Sequence, residues 1–123
     1  MSDPNFIILY VNDPPASTEF YTKLLGKKPI EASPTFAMFA LESGVMMGLW
    51  SRQTVEPAAE TLPGSGEIAF SLADRVPVHA KYHEWSRRGL RIVQTPTAMD
   101  FGRTFVALDP DGHRLRVFAP QAT

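Results

Sequence analysis

The stretch Phe101-Gly-Arg-Thr-Phe-Val-Ala-Leu-Asp-Pro-Asp-Gly-His-Arg-Leu-Arg-Val-Phe118 predicts a strand, a tight turn and a second strand. Asp109 can accept hydrogen bonds from the backbone ahead of it, Pro110 pre-sets φ, and Gly112 takes the positive φ that closes the turn. The segments on either side are rich in residues that suit a pleated, half-buried sheet. Taken alone, this hairpin could simply complete a sheet, so its meaning depends on the rest of the chain.

The composition is that of a soluble globular protein. The chain has 123 residues, of which 44% are hydrophobic and 20% charged, so we expect one domain over residues 1–123. The net charge of -1 gives no nucleic-acid footprint, and the lack of cysteine excludes disulfides and thiolate chemistry. No signal peptide or membrane-spanning run is visible, so we expect a cytoplasmic protein with neither a nucleic-acid nor a membrane partner.

The first half of the chain predicts the order β-α-β-β-β. Residues 6–11 form a continuous apolar run typical of a buried strand. Asp13 is a candidate helix N-cap, and apolar residues then keep helical spacing as far as Gly26. Three short strands follow at about 28–32, 35–41 and 45–51.

The second half repeats this order after a polar linker at 52–65, which gives modules of about 4–51 and 66–120. A strand at 67–73 ends at Asp74, and a helix then runs to Gly89. We expect a short strand at 91–94, a loop at 95–100, and then the hairpin quoted above. Residues 6–13 overlay on 67–74, and Trp50 falls on Phe118, so the architecture is an internal repeat.

These motifs resemble the vicinal oxygen chelate superfamily, which includes glyoxalases, extradiol dioxygenases and bleomycin-resistance proteins. The likeness rests on Ile8-Leu-Tyr-Val-Asn-Asp13, Phe20-Tyr21-x-x-Leu24-Leu25-Gly26, Phe101-Gly102-Arg103-x-Phe105 and Asp109-Pro110-Asp111-Gly112. It is greatest for small antibiotic-binding proteins, including those for phenazine-type drugs. The resemblance implies an α+β fold of two βαβββ modules whose sheets curl into a cup, in a homodimer that shares its cups between chains.

The resemblance also locates the positions at which metalloenzymes of the family carry His or Glu. By motif alignment these positions are Phe6, Gly48, Glu67 and Arg116. Glu67 alone could ligate a metal, because Phe6 has no donor atom, Gly48 has no side chain and Arg116 is a permanent cation. One carboxylate does not make a zinc or nickel site. We therefore expect neither a metal nor another cofactor.

The histidines do not supply a catalytic centre. His79 and His83 share one face of the second helix at i, i+4 spacing, but no glutamate lies at the zincin position. An ordinary exposed helix face explains them better than a metal site. We expect His113, which follows the turn glycine, to be exposed as well. No catalytic residues are assigned.

A ligand pocket remains as the candidate site. Alternation along the strands places aromatic and thioether side chains on the faces that carry the four metal positions. Flat rings and adaptable methionines suit a planar, drug-sized molecule. Glu67 and Arg116 belong to one module, so we expect them to pair in the empty protein, with Arg116 still able to meet an anionic ligand. The candidate ligand-binding residues are Phe6, Tyr10, Met46, Gly48, Trp50, Glu67, Ser71, Phe101, Arg116 and Phe118.

Three functions remain open on this evidence. The first is a metal-free protein that sequesters a planar aromatic antibiotic or related metabolite. The second is a glyoxalase- or dioxygenase-like enzyme with altered or lost metal dependence, in which Glu67 could act as a base. The third is a biosynthetic or structural accessory whose cup is filled by its own side chains.

Overall fold

The computed structural model describes residues 4–121. The chain divides into two compact units, residues 1–63 and 64–123. Each unit has the element order β-α-β-β-β. The elements are β1 (Phe6–Val11), α1 (Pro14–Leu25), β2 (Glu31–Ala32), β3 (Phe36–Ala40), β4 (Met46–Ser51), β5 (Glu67–Ser71), α2 (Arg75–Arg87), β6 (Arg91–Met99), β7 (Gly102–Leu108) and β8 (Arg114–Pro120).

Both helices begin at an aspartate, as the sequence predicts for the first of them. The Asp13 side chain accepts a hydrogen bond from the Ala16 backbone N–H at 3.2 Å. The Asp74 side chain does the same for Val76 at 2.9 Å. An aspartate at this position satisfies one of the backbone donors that have no partner within the helix.

The two sheets have the same strand pattern. Their strand orders are β1-β4-β3-β2 and β5-β8-β7-β6, so β1 and β5 are edge strands. β1 pairs with β4 in parallel, as β5 does with β8, and the remaining pairs are antiparallel. In the first sheet Tyr10 lies opposite Trp50, and in the second Ser71 lies opposite Phe118. The overlay of Trp50 on Phe118 is therefore confirmed.

In each unit one face of the sheet packs against the helix. In the first unit, Tyr21 of α1 and Phe39 and Leu49 of the sheet are fully buried. In the second unit, Trp85 of α2 packs edge-on against Phe70 at 5.8 Å and Phe105 at 5.4 Å between ring centroids. Side chains alternate along a strand, so the residues between these buried ones lie on the opposite face of each sheet, away from the helix.

The expected loop at 95–100 is wrong. β6 continues to Met99 and pairs with β7 as far as Met99 opposite Gly102. Pro96 suggested a break, but β6 is an edge strand, where a residue without an N–H is tolerated. The register shifts on either side of Gln94 absorb the irregularity.

The turn at 109–112 has the expected geometry, with one correction. Oδ1 of Asp109 accepts hydrogen bonds from the backbone N–H of Asp111 at 2.9 Å and of His113 at 2.8 Å, and Gly112 has a φ of 89°. His113 is not exposed but 5% accessible. Its Nδ1 lies 2.8 Å from Oδ2 of Asp109, so one buried carboxylate holds both the turn and the imidazole ring.

Candidate functional site

An aromatic surface covers the face of the first sheet that is turned away from α1. The cross-strand pairs that form it are Phe6 with Met46, Ile8 with Gly48, Tyr10 with Trp50, Phe36 with Trp50, and Met38 with Gly48. We call these residues the aromatic face. The rings of Phe36 and Trp50 meet edge-on at 6.0 Å between centroids. Phe6, Ile8 and Tyr10 are each about 40% exposed, an unusual exposure for large apolar side chains.

Two phenyl rings of the aromatic face cover the backbone at Gly48. A methyl group added at Gly48 would lie 3.0 Å from Cε1 of Phe6 and 3.1 Å from Cε1 of Phe36. Both distances are tighter than ordinary van der Waals contact. The absence of a side chain at residue 48 therefore lets the two rings approach the backbone there, and the ring of Phe36 also contacts that of Trp50.

A polar cluster lies on the corresponding face of the second sheet. Arg116 forms a two-pronged ion pair with Glu67, with Nε 3.0 Å from Oε1 and Nη2 2.9 Å from Oε2. Nη1 of Arg116 also donates to Oγ1 of Thr104 at 3.2 Å and to Oε1 of Gln94 at 3.5 Å. Arg114 lies 3.9 Å from Glu67. The expected pairing of Glu67 with Arg116 is present.

The pairing shifts both ionisation equilibria towards the charged forms. The hydrogen bond from Arg116 lowers the pKa of Glu67, with burial opposing it and the charges of Arg116 and Arg114 adding to it. The same hydrogen bond raises the pKa of Arg116. Glu67 is therefore a weaker base than an isolated glutamate.

Aromatic side chains border this cluster on one side. Phe101 and Phe118 meet edge-on at 6.0 Å between centroids, and the guanidinium carbon of Arg116 lies 6.0 Å from the centre of the Phe101 ring. Phe101 is 41% exposed. Ser71 is exposed and lies beside Phe118 across the strand pair. The cluster thus combines a fixed ion pair with accessible ring surface.

The candidate ligand residues therefore fall into two groups, one in each unit. The aromatic face contains Phe6, Tyr10, Met46, Gly48 and Trp50. In or beside the polar cluster lie Glu67, Ser71, Phe101, Arg116 and Phe118.

The two histidines of α2 lie on an ordinary helix surface, since His79 is half-buried and His83 is exposed.

The four family metal positions do not fit a metal ion. Two of them, Phe6 and Gly48, are occupied by a phenyl ring and by the glycine that it covers. The other two, Glu67 and Arg116, are bonded to each other, so the remaining carboxylate is already neutralised by a guanidinium group. Divalent metals require several oxygen, nitrogen or sulfur donors, and this set offers one carboxylate.

The sequence profile of the glyoxalase/bleomycin resistance protein/dioxygenase superfamily matches residues 4–117. This chain belongs to that superfamily. It is 32% identical over 117 residues to the phenazine antibiotic resistance protein EhpR of Enterobacter agglomerans, a match that covers 93% of this chain and 89% of that protein.

Two solved structures share the fold of this chain. A protein of Agrobacterium tumefaciens, solved by solution NMR, is 50% identical with a TM-score of 0.89, over 99% of this chain and 100% of that one. A glyoxalase/bleomycin resistance protein/dioxygenase from Nocardioides is 30% identical with a TM-score of 0.81, over 98% of this chain and 85% of that one.

Within residues 4–121, neither helix has the length and apolar character needed to span a membrane.

Several residues of the two surfaces were not anticipated from the sequence. Phe36 closes over Gly48, and Thr104 and Gln94 hold Arg116. Phe36 could have been found from the hairpin at Glu42–Gly44, because its register places Phe36 opposite Trp50. Gln94 could not, because the register shifts of β6 decide which residue faces Arg116.

Proposed function

We propose that this protein binds a planar aromatic small molecule of the phenazine type without the help of a metal, and confers resistance by sequestering it. The observation that carries the proposal is the aromatic face, where the rings of Phe6 and Phe36 close over Gly48 beside Trp50. Flat, exposed ring surface on a rigid sheet binds a planar ligand at little cost in conformational entropy. The 32% identity to a phenazine resistance protein supports the same class of ligand.

The polar cluster is proposed to contribute polar contacts rather than chemistry. Glu67 has a lowered pKa and accepts two hydrogen bonds from Arg116, which weighs against its use as a general base. The alternative function, an enzyme that uses Glu67 as its base, therefore receives no support from the state of Glu67.

Trp50 is the central anchor in this proposal, and its replacement tests it. Titration with phenazine, followed by calorimetry, should show binding that Trp50→Ala weakens by about 30-fold, equivalent to about 2 kcal/mol. Trp50→Phe should retain most of the affinity because it keeps a ring. Ile30→Ala, at an exposed apolar position outside both surfaces, is the matched control and should bind as the parent protein does. Equal affinity of Trp50→Ala and the parent would remove Trp50 from the site.

Sequestration and turnover are separated by recovering the ligand. A phenazine-sensitive bacterium that expresses the protein should tolerate a higher drug concentration, and the Trp50→Ala variant should give no protection. Ligand extracted from the purified complex after prolonged incubation should have an unchanged mass. A modified product, or protection that persists without Trp50, would contradict resistance by binding.

A further inference from the structure

Arg52 contains a buried hydrogen-bond donor that has no partner. Its Nε has less than 1 Å² of exposed surface and, within residues 4–121, no hydrogen-bond acceptor. Burying a charged donor without an acceptor is costly, so an unsatisfied guanidinium nitrogen in a folded protein calls for a functional or structural explanation. No other buried side-chain nitrogen or oxygen in that part of the chain lacks a partner.

The position of Arg52 connects this donor to the aromatic face. Its backbone N–H donates to the carbonyl oxygen of Val11 at 2.9 Å, which fixes residue 52 at the ends of β1 and β4. Trp50, paired with Tyr10 and Phe36, lies two residues earlier. Two residues of extended chain span at most about 7 Å, so a guanidinium on residue 52 is within reach of a substituent on a ring that stacks on Trp50.

A comparison with Arg116 shows why Arg52 is the better anion receptor. Arg116 directs four hydrogen bonds to Glu67, Thr104 and Gln94 out of the five that a guanidinium can donate. Arg52 forms no side-chain hydrogen bond or ion pair with any residue between 4 and 121. The charge of Arg116 is thus already balanced within the protein, whereas the charge of Arg52 is available to a ligand.

We propose that Arg52 is a ligand-binding residue that selects planar aromatic molecules carrying a carboxylate beside the ring system. The ring stacks on Trp50 while the carboxylate accepts hydrogen bonds from the terminal nitrogens of the guanidinium, whose charge no residue between 4 and 121 balances. Charge-assisted hydrogen bonds of this kind are the strong ones, and they discriminate against a neutral group of the same shape. This inference rests on the proposed function and specifies its ligand class.

The test uses phenazine-1-carboxylate and phenazine-1-carboxamide, which share ring and shape but differ in charge. Calorimetry should show that the parent protein binds the carboxylate at least tenfold more tightly than the amide. Arg52→Gln should lower the affinity for the carboxylate by about tenfold and change that for the amide by no more than about twofold. Arg52→Lys, which keeps the charge but loses the planar fork of donors, should retain part of the preference. Arg91→Gln, at an exposed arginine of β6, is the control and should leave both affinities unchanged.

The possible outcomes distinguish a failure of the role proposed for Arg52 from a failure of the proposed function. If Arg52→Gln keeps the full preference for the carboxylate, or if the parent binds both probes equally, Arg52 does not select the ligand. In that case Trp50-dependent binding of the amide still supports the proposed function. If the parent binds neither probe, the proposed function is wrong and the role of Arg52 with it. Salt dependence gives a measurement without substitution, because added salt should weaken only the carboxylate complex.

Discussion

Gly48 and Arg116 occupy equivalent positions in the two units, since Gly48 lies opposite Ile8 and Arg116 opposite Ala69. At one of them the missing side chain lets two rings close over the backbone, and at the other a long cation binds the carboxylate next to it. The same place in a repeated sheet has thus become apolar in one unit and ionic in the other. The packing of Phe6 and Phe36 therefore depends on the glycine at residue 48, and the pairing of Glu67 depends on the arginine at residue 116.

Gly48 should tolerate no larger residue. Gly48→Val places two methyl groups where the rings of Phe6 and Phe36 lie, and over-packing of this kind costs about 1–3 kcal/mol. Urea unfolding should show the loss as a lower midpoint with an unchanged slope. Gly66→Ala is the matched control, because nothing lies within 4 Å of its added methyl group. A variant at residue 48 as stable as the parent would mean that the two rings are not held there.

The ion pair of Glu67 should give a pH-dependent contribution to stability. Arg116 holds the pKa of Glu67 below its ordinary value of 4.5, so the contribution is complete above that pH and is lost as the pH falls through the lowered pKa. Glu67→Gln should cost at most about 1 kcal/mol near pH 7, because the carboxylate is a third exposed and water screens the pair. The difference from the parent should shrink as the pH falls below 4.5 and through the lowered pKa of Glu67, as measured by urea unfolding at several pH values. A constant difference at all pH values would assign the effect to packing instead.

At the scale of elements, the turn at 109–112 shows how a few side chains fix a hairpin. Asp109, Pro110 and Gly112 predict the turn from local chemistry alone, and the structure confirms it. The burial of His113 was not predictable, because it depends on a second oxygen of Asp109 reaching an imidazole four residues on. The length of β6 was missed for a similar reason. Pro96 normally ends a strand, and its tolerance depends on an edge position that local sequence does not reveal.

Asp109 should be the most sensitive residue of this hairpin. Asp109→Ala leaves the backbone N–H groups of Asp111 and His113 and the His113 ring without their acceptor, and we expect a loss of about 3 kcal/mol or more. Asp109→Asn keeps one acceptor oxygen and should lose less. Thermal and urea unfolding measure both. The exposed Asp100, in the turn between β6 and β7, is the control, and its alanine variant should be close to the parent.

At the scale of the whole molecule, the repeat, the two βαβββ units and the superfamily follow from the order of motifs along the chain. The identity of the polar contacts does not, because hydrogen bonds such as those of Thr104 and Gln94 depend on side-chain directions that alternation alone leaves open. The lack of a partner for Nε of Arg52 also depends on side-chain directions and cannot be predicted from the sequence. The sequence places residue 52 in the polar linker, where an arginine is usually solvated.

The protein should form a homodimer. The edge strand β1 exposes Phe6, Ile7, Ile8 and Tyr10 by 40–54%, more apolar surface than a strand with one unpaired edge normally leaves in water. Two-fold dimers are the commonest way to cover such a surface. Light scattering coupled to gel filtration should give twice 13.6 kDa at micromolar protein. A monomer mass across the concentration range would mean that a second copy of this chain does not cover the exposed surface of β1.

The purified protein should bind no zinc or nickel in stoichiometric amount. Three of the four family metal positions carry a ring, a glycine and a guanidinium, and the fourth is bonded to that guanidinium. Protein without a histidine tag, dialysed against each ion and then against buffer, should contain much less than one ion per chain by elemental analysis. One tightly held ion that is lost in Glu67→Gln would overturn this expectation.

The two rings over Gly48 also restrict the mutational paths open to the gene. A return to metal-dependent chemistry needs new donor side chains at Phe6, Gly48 and Arg116. The first change at residue 48 would displace the rings, and the first at residue 116 would leave Glu67 without its guanidinium. A metal could compensate these losses only once enough donors were present to bind it. A change at residue 48 or 116 is therefore expected to cost stability before the metal site is complete, and this barrier favours refinement of ligand binding over the recovery of catalysis.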